Sequence, residues 1–193
     1  LTVEPGTAFF REHRAGRLVL PDDDDGARML EDTWRICADA GYQPYEVSNF
    51  AQAGQECCHN LTYWRYGEYV GAGPGAHGRL RLDGKLIAVA QRRAPDGWIG
   101  DVERTGHGTE TLEIVDMSDR AAECLMMGLR TREGISDARF EQTVGQALES
   151  QISVAKIAKF VDGGWLQHED GVLRATPRGW AVLDTLLSDL LTA

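Results

Sequence analysis

Apolar residues recur at helical spacing over 22–40, where Ala27, Leu30, Trp34 and Cys37 stand at i, i+3, i+7 and i+10 and predict one buried helix face. Pro21 and four aspartates at 22–25 precede that stripe, and Gly41 follows it. Carboxylates there satisfy free N–H groups at the positive end of the helix dipole, so the acidic run predicts a cap rather than a metal site. Leu1-Thr2-Val3-Glu4 before Pro5-Gly6, and Tyr45-Glu46-Val47-Ser48 after the helix, read as short strands. Strand, helix, strand predicts a βαβ unit of a parallel sheet, with ligands beyond the strand ends at Glu4-Pro5-Gly6 and Ser48-Asn49-Phe50.

Residues 49–67 are polar and predict an irregular loop, followed by a third strand over 68–73 whose glycines admit another backbone or a ligand. The runs 79–82 and 85–89 flank Asp83-Gly84, a strong hairpin signal. The turn-rich stretch 96–108 predicts no single element. From 114–118 onward the pattern turns helical, which places a domain boundary there and divides 1–117 from 118–193. Ser118 is read as the cap of a helix carrying Ala122, Leu125, Met126 and Leu129, and Ser136 as the cap of one carrying Phe140 and Val144. A third helix carries Val154, Ile157, Ala158 and Val161 and stops at Gly163-Gly164. A second hairpin turns at Glu169-Asp170-Gly171, and Thr176-Pro177 opens a last helix with Trp180, Leu183, Leu187 and Leu190 on one stripe. Helices with a two-stranded wing predict a winged-helix-like domain.

Charge changes what that domain is for. Residues 118–193 hold eight basic and eleven acidic side chains, and the whole chain has a formal charge of −10. Such a balance opposes phosphate backbones, so a docking or lid role is expected and nucleic acid is not. No apolar run is long enough for a membrane span and no secretory signal opens the chain, which predicts a cytoplasmic protein. Cys37, Cys57, Cys58 and Cys124 show neither CxxC nor disulfide-framework spacing and read as reduced thiols. A chain opening on a strand with nothing before it to pair with is expected to enter its domain midway.

Two segments carry candidate chemistry. Gly73-Pro74-Gly75-Ala76-His77-Gly78 fits GxGxxG, but it runs into a hairpin instead of opening a helix, which removes the dinucleotide reading. Cys57-Cys58-His59-Asn60-Leu61-Thr62-Tyr63-Trp64-Arg65-Tyr66 gathers thiols, an imidazole, aromatic rings and a guanidinium. That mixture suits a flat, anionic, metal-bearing ligand: imidazole or thiolate can ligate haem iron, rings can cover a macrocycle and Arg65 can pair with a propionate. The same residues also fit plain packing of Tyr63, Trp64 and Tyr66, with His59 in a structural hydrogen bond. A zinc half-site needs ligands that no second cluster supplies, and a Cys–His dyad lacks an orienting acid.

The segments Tyr45-Glu46-Val47-Ser48-Asn49-Phe50-Ala51, His59-Asn60-Leu61-Thr62-Tyr63-Trp64-Arg65-Tyr66-Gly67 and Tyr69-Val70-Gly71-Ala72-Gly73-Pro74-Gly75-Ala76-His77-Gly78 resemble the radical-SAM coproporphyrinogen III oxidase-like (HemN/HemW) family. Leu1-Thr2-Val3-Glu4-Pro5-Gly6-Thr7 is similar to one of its barrel strands, and Thr176-Pro177-Arg178-Gly179 to the start of its last helix. The resemblance implies an α/β fold: the C-terminal part of a partial, TIM-like radical-SAM barrel followed by a helical, winged-helix-like domain. It implies S-adenosylmethionine and a [4Fe–4S] cluster in the intact protein, although no CxxxCxxC stands in this chain, which predicts a catalytically silent piece. His59, Asn60, Tyr63 and Trp64 match the HNxxYW pattern of the HemW-like branch and imply haem binding and transfer, with Arg65 beside them and His59 on the iron. Val70, Gly71, Ala72 and Gly73 are implied to line the S-adenosylmethionine cavity. The resemblance leaves two other readings: part of an oxidase converting coproporphyrinogen III to protoporphyrinogen IX, or a non-enzymatic docking module. A partial barrel further predicts an exposed edge over 1–4, open to self-association.

Overall fold

The computed structural model describes residues 3–192 and divides into two compact units, residues 1–43 and 44–193. In the first, Thr7 caps helix α1 (Ala8–Arg14), its hydroxyl oxygen accepting from the Phe10 amide at 3.2 Å. Helix α2 (Asp23–Asp39) is capped by Asp22, which accepts from the Asp25 amide at 2.8 Å, so the acidic run acts as read. The stripe on α2 is less covered than predicted. Leu30, Trp34 and Cys37 are half-buried, Ala27 is exposed, and no α2 residue is fully buried. Two helices in so short a unit do not enclose a core.

The second unit begins with strands β1 (Gln43–Glu46) and β2 (Asn49–Ala51), which pair with each other in a two-stranded sheet. The connection of Val47 and Ser48 is too short for a parallel crossover, so β1 and β2 pair locally. Val3 and Glu4 lie in no strand, and Leu1 and Thr2 fall outside the described residues, so the expected sheet edge over 1–4 has no strand at its described end.

Helix α3 (Cys58–Trp64) occupies the stretch predicted as loop. Its side chains pair four residues apart, a helical spacing masked by the segment's polarity. The strand predicted over 68–73 reduces to one bridge, Tyr69 with Arg79. A Cβ on Gly71 would stand 2.1 Å from the His77 carbonyl oxygen, so Gly71 is pressed against the neighbouring main chain, while a Cβ on Gly73 would meet open space and Val70 is exposed. The glycine-rich segment then enters β3 (His77–Leu82), which pairs antiparallel with β4 (Lys85–Gln91) through Asp83 and Gly84 at φ 49° and 77°. Both angles are left-handed, as a type I′ turn requires. Helix α4 (Pro95–Thr105) fills the unassigned stretch, with Pro95 in its first turn and Gly106 at φ 85° closing it. Strand β5 (Thr109–Ile114) completes an antiparallel sheet of order β3-β4-β5.

Helix α5 (Met117–Gly128) is capped by Asp116, not Ser118: the Asp116 carboxylate accepts from the Asp119 amide at 2.9 Å. Strand β6 (Ile135–Ser136) leads into α6 (Asp137–Val144), capped by Ser136 as predicted. Helix α7 (Val154–Asp162) and the hairpin of β7 (Leu166–Glu169) and β8 (Val172–Ala175) follow, giving a wing of order β6-β8-β7. The predicted terminal helix is two, α8 (Pro177–Trp180) and α9 (Leu183–Leu191), because Val182 leaves helical geometry at φ −129°. Leu125, Leu129, Phe140, Val144, Leu166 and Leu173 are 0–2% exposed and weld these helices to the wing.

The fold is mixed α/β, and the described strands form no closed barrel. Among the described residues no helix is long and apolar enough to cross a membrane. Phe140→Ala is expected to cost about 3–5 kcal/mol, read as a lower denaturation midpoint at unchanged m-value.

Candidate functional site

A buried carboxylate sets the position of α3. Glu46 is 0% exposed at the end of β1. Its Oε1 accepts from the Ser48 amide at 2.8 Å, the Ser48 hydroxyl at 3.0 Å and the Asn49 amide group at 2.6 Å. Its Oε2 faces the Arg130 Nε at 4.0 Å. The main chain reinforces this ion pair, since the Val47 amide donates to the Arg130 carbonyl and the Arg132 amide to the Tyr45 carbonyl, each at 3.0 Å. Arg130 then lies over the Trp64 ring, 5.0 Å from its centroid. Asn60, one turn earlier, donates to the Tyr45 hydroxyl at 3.1 Å.

Asn60 and Trp64 thus pin one face of α3 to the Tyr45–Glu46 strand and the turn after α5. His59 and Tyr63 stand on the adjacent face, four residues apart, with Nε2 and Oη at 2.9 Å and rings edge-to-face at 4.6 Å. His59 is exposed and Tyr63 half-buried. Tyr69 meets Tyr63 edge-to-face at 4.3 Å, and both border a small cavity of about 30 Å³ shared with Tyr66, Arg79, Glu123 and Met127.

Four charged groups that the sequence reading missed, Glu133, Arg139, Glu123 and Arg79, organise this surround. Glu133 takes both Arg65 nitrogens, at 2.7 and 2.9 Å. Arg139 donates to the Arg65 carbonyl oxygen and lies 3.9 Å from Glu133. Arg65 lowers the Glu133 carboxyl pKa by this contact, against a smaller opposing effect of burial. Deeper in, Glu123 accepts from Arg79 at 2.7 and 3.3 Å and from the Tyr66 hydroxyl at 2.6 Å. Burial pushes the Glu123 carboxyl up, and the Arg79 and Tyr66 hydrogen bonds together outweigh it and hold the group below its ordinary value. Burial, then the bond to Glu123, raises the Tyr66 hydroxyl. These partners lie 68 and 44 residues apart in sequence, beyond any local pattern.

The predicted haem residues therefore share one helix but not one task. His59 and Tyr63 present donor atoms, Asn60 and Trp64 anchor, and Arg65 is held by Glu133. Among Val70, Gly71, Ala72 and Gly73, Val70 is 76% exposed and Gly71 is closed against His77. The thiols do not make a cluster cradle: Cys57 and Cys58 are adjacent, and burial pushes the Cys124 thiol up to about 12. Among the described residues no group of three or more His, Cys, Asp or Glu converges as a metal site.

Residues 115–182 match the family model described as the HemN C-terminal domain. The chain is 38% identical over 197 residues to the mouse "Radical S-adenosyl methionine domain-containing protein 1, mitochondrial", covering 99% of this chain and 45% of that protein. It is 32% identical to the "Heme chaperone HemW" of Escherichia coli strain K12, over 97% of this chain and 47% of the relative. The chain thus spans just under half the length of these curated relatives. Its fold is similar to the solved coproporphyrinogen III oxidase (HemN) of Escherichia coli, described as a radical SAM enzyme, with a TM-score of 0.65 at 14% identity, over 90% of this chain and 42% of that one.

Glu46→Leu should destabilise the chain by about 3–5 kcal/mol, the cost of stranding one half of a buried ion pair. Adding Arg130→Met should recover part of that loss, and additive losses in denaturant melts would show the pair to be uncoupled. The Glu123 site carries a pH signature. Because its folded pKa is depressed, its contribution is full above its ordinary value of 4.5 and is lost as pH falls through the lower folded value. Glu123→Gln should flatten the acid limb of the stability profile.

Proposed function

The chain belongs to the radical-SAM coproporphyrinogen III oxidase-like (HemN/HemW) family, and we propose that it is a haem-handling segment of a HemW-type haem chaperone. The observation that carries this reading is the division of labour on α3: an exposed imidazole–phenol pair, His59 with Tyr63, on a helix fixed from behind by Asn60 and Trp64. The donor set fits haem, because an imidazole nitrogen or a phenol oxygen can serve as axial ligand and the nearby guanidinium can meet a propionate. In this reading haem is cargo. His59 supplies the nitrogen to iron, Tyr63 orients it, and Arg65 exchanges Glu133 for a propionate carboxylate. The relatives carrying the name HemW are haem chaperones by that name, which supports the assignment.

We assign residues 1–117 to the barrel-derived part and 118–193 to the helical domain. In the intact protein S-adenosylmethionine and a [4Fe–4S] cluster would supply radical chemistry, as the radical-SAM name of the relatives implies. Val70, Gly71, Ala72 and Gly73 would face the S-adenosylmethionine. This chain's thiols do not fit such a cluster, Cys57 and Cys58 being adjacent and Cys124 buried.

Haemin titration followed at the Soret band tests the reading. Wild type should saturate at one haem per chain, and His59→Ala should weaken binding about tenfold or more, one lost ligand bond being worth at least about 1.4 kcal/mol. Superimposable curves would overturn the placement on α3. Glu133→Gln should tighten binding by about two- to fivefold, the worth of releasing Arg65 from an exposed ion pair.

A further inference from the structure

We infer that Arg65 and Arg139 form a two-armed carboxylate clamp at the C-terminal end of α3, which Glu133 fills in this structure and which selects tetrapyrroles carrying a free propionate, with or without a metal. This deepens the haem reading above and rests on it for the identity of the ligand. The carrying observation is how Arg139 divides its two terminal nitrogens. Nη2 donates to the Arg65 carbonyl oxygen, while Nη1 faces the Glu133 carboxylate at 3.9 Å, beyond hydrogen-bond length, and has no acceptor among the described residues.

Local geometry explains why that donor is left over. Arg65 is the C-cap of α3, and its guanidinium holds Glu133 as a fork, Nε at 2.7 Å and Nη2 at 2.9 Å. Arg139 stands in the first turn of α6 and reaches across to a carbonyl that the end of α3 leaves open, where a cation is favoured. That bond fixes the Arg139 guanidinium beside the Glu133 carboxylate. Glu133 itself comes from a tethered loop. The Arg132 amide donates to the Tyr45 carbonyl at 3.0 Å, the Gly134 amide to the Thr131 hydroxyl oxygen at 3.1 Å, and a Cβ on Gly134 would stand 2.4 Å from the Leu173 carbonyl oxygen. With the main chain held on both sides, the Glu133 side chain serves one arm and falls short of the other.

An incoming carboxylate has no such tether. It can take the Arg65 fork and the Arg139 Nη1 together, so it makes one charge-assisted hydrogen bond that Glu133 does not. What it displaces is an exposed ion pair, the side chains of Arg65, Glu133 and Arg139 being 37–46% accessible. One carboxylate leaves and another enters, and no proton moves. Esterifying the ligand removes the charge that both arms recognise, whereas removing its metal changes nothing at the clamp.

The test measures binding of metal-free protoporphyrin IX and its dimethyl ester by porphyrin fluorescence, with haemin at the Soret band alongside, to the whole chain as wild type, Arg139→Gln, Arg139→Lys and Glu133→Gln. Wild type should bind the free acid about fivefold or more tighter than the ester, and Arg139→Gln should cut that ratio to about twofold or less with ester affinity unchanged. Arg139→Lys should fall between, because one ammonium cannot reproduce a guanidinium that serves two acceptors at once. Glu133→Gln should widen the ratio by freeing the fork. Denaturant midpoints separate clamp from cap: if Arg139→Gln weakens acid and ester equally, in step with a lower midpoint, Arg139 only caps α3 and the clamp is overturned. Equal wild-type affinity for acid and ester, with the haemin Soret shift intact, overturns the clamp and leaves the haem reading standing. Absence of both the Soret shift and porphyrin binding overturns both.

Discussion

A buried carboxylate is costly without partners, and Glu46 offsets that cost with three donors on Oε1, while Oε2 takes no hydrogen bond and has the Arg130 Nε at 4.0 Å. That requirement ties three stretches of chain together. The turn after β1 curls so that Ser48 and Asn49 can donate, and Arg130 is drawn in from the end of α5. Arg130, so placed, lies over Trp64 and fixes α3. Had an apolar residue stood at 46, the local sheet and the main-chain bonds to Arg130 and Arg132 could still form, but the carboxylate that faces the Arg130 guanidinium would be lost. The geometry of the presented His59–Tyr63 face is therefore a consequence of an ion pair behind the adjacent face of the helix.

Electrostatics near the presented face follows the same economy. The chain has ten more acidic than basic residues, and the arginines around α3 are paired: Arg65 with Glu133, which Arg139 also approaches, Arg79 with Glu123, and Arg130 with Glu46. Arg65 differs from the other two in exposure, its side chain being 46% accessible against 22% and 27%. An exposed pair is worth little and exchanges readily, whereas the buried pairs are structural. An anionic ligand approaching α3 would thus find Arg65 and its neighbour Arg139 exposed enough to change partners, and Arg79 and Arg130 held in place.

Much of the helical domain was legible from sequence because its signals are local. The stripes over α5, α6 and α7, the Ser136 cap and the hairpin at Asp170-Gly171 all declare themselves within a few residues. The middle of the chain was less so. The α3 segment looked like loop because its polar and aromatic residues face two different partners rather than one core, so no single apolar stripe appears. Over 68–73 the strand reduces to the Tyr69–Arg79 bridge, but the glycine signal for a close backbone approach holds at Gly71, where a Cβ would stand 2.1 Å from the His77 carbonyl oxygen. Of the site, the residue types on α3 could be read directly. Their roles could not, because Tyr45, Arg130 and Glu133 reach them from distant parts of the chain.

The central claim is that haem lies on the His59–Tyr63 face of α3, and mapping amide shifts by NMR as gallium protoporphyrin IX is added tests it most directly. Gallium mimics the charge of ferric iron without paramagnetic broadening. The account predicts the largest shifts at His59, Tyr63, Arg65 and Glu133, with Asn60 and the wing of β7 and β8 little changed. Shifts concentrated on the wing or on α9, or spread evenly with none on α3, would contradict it.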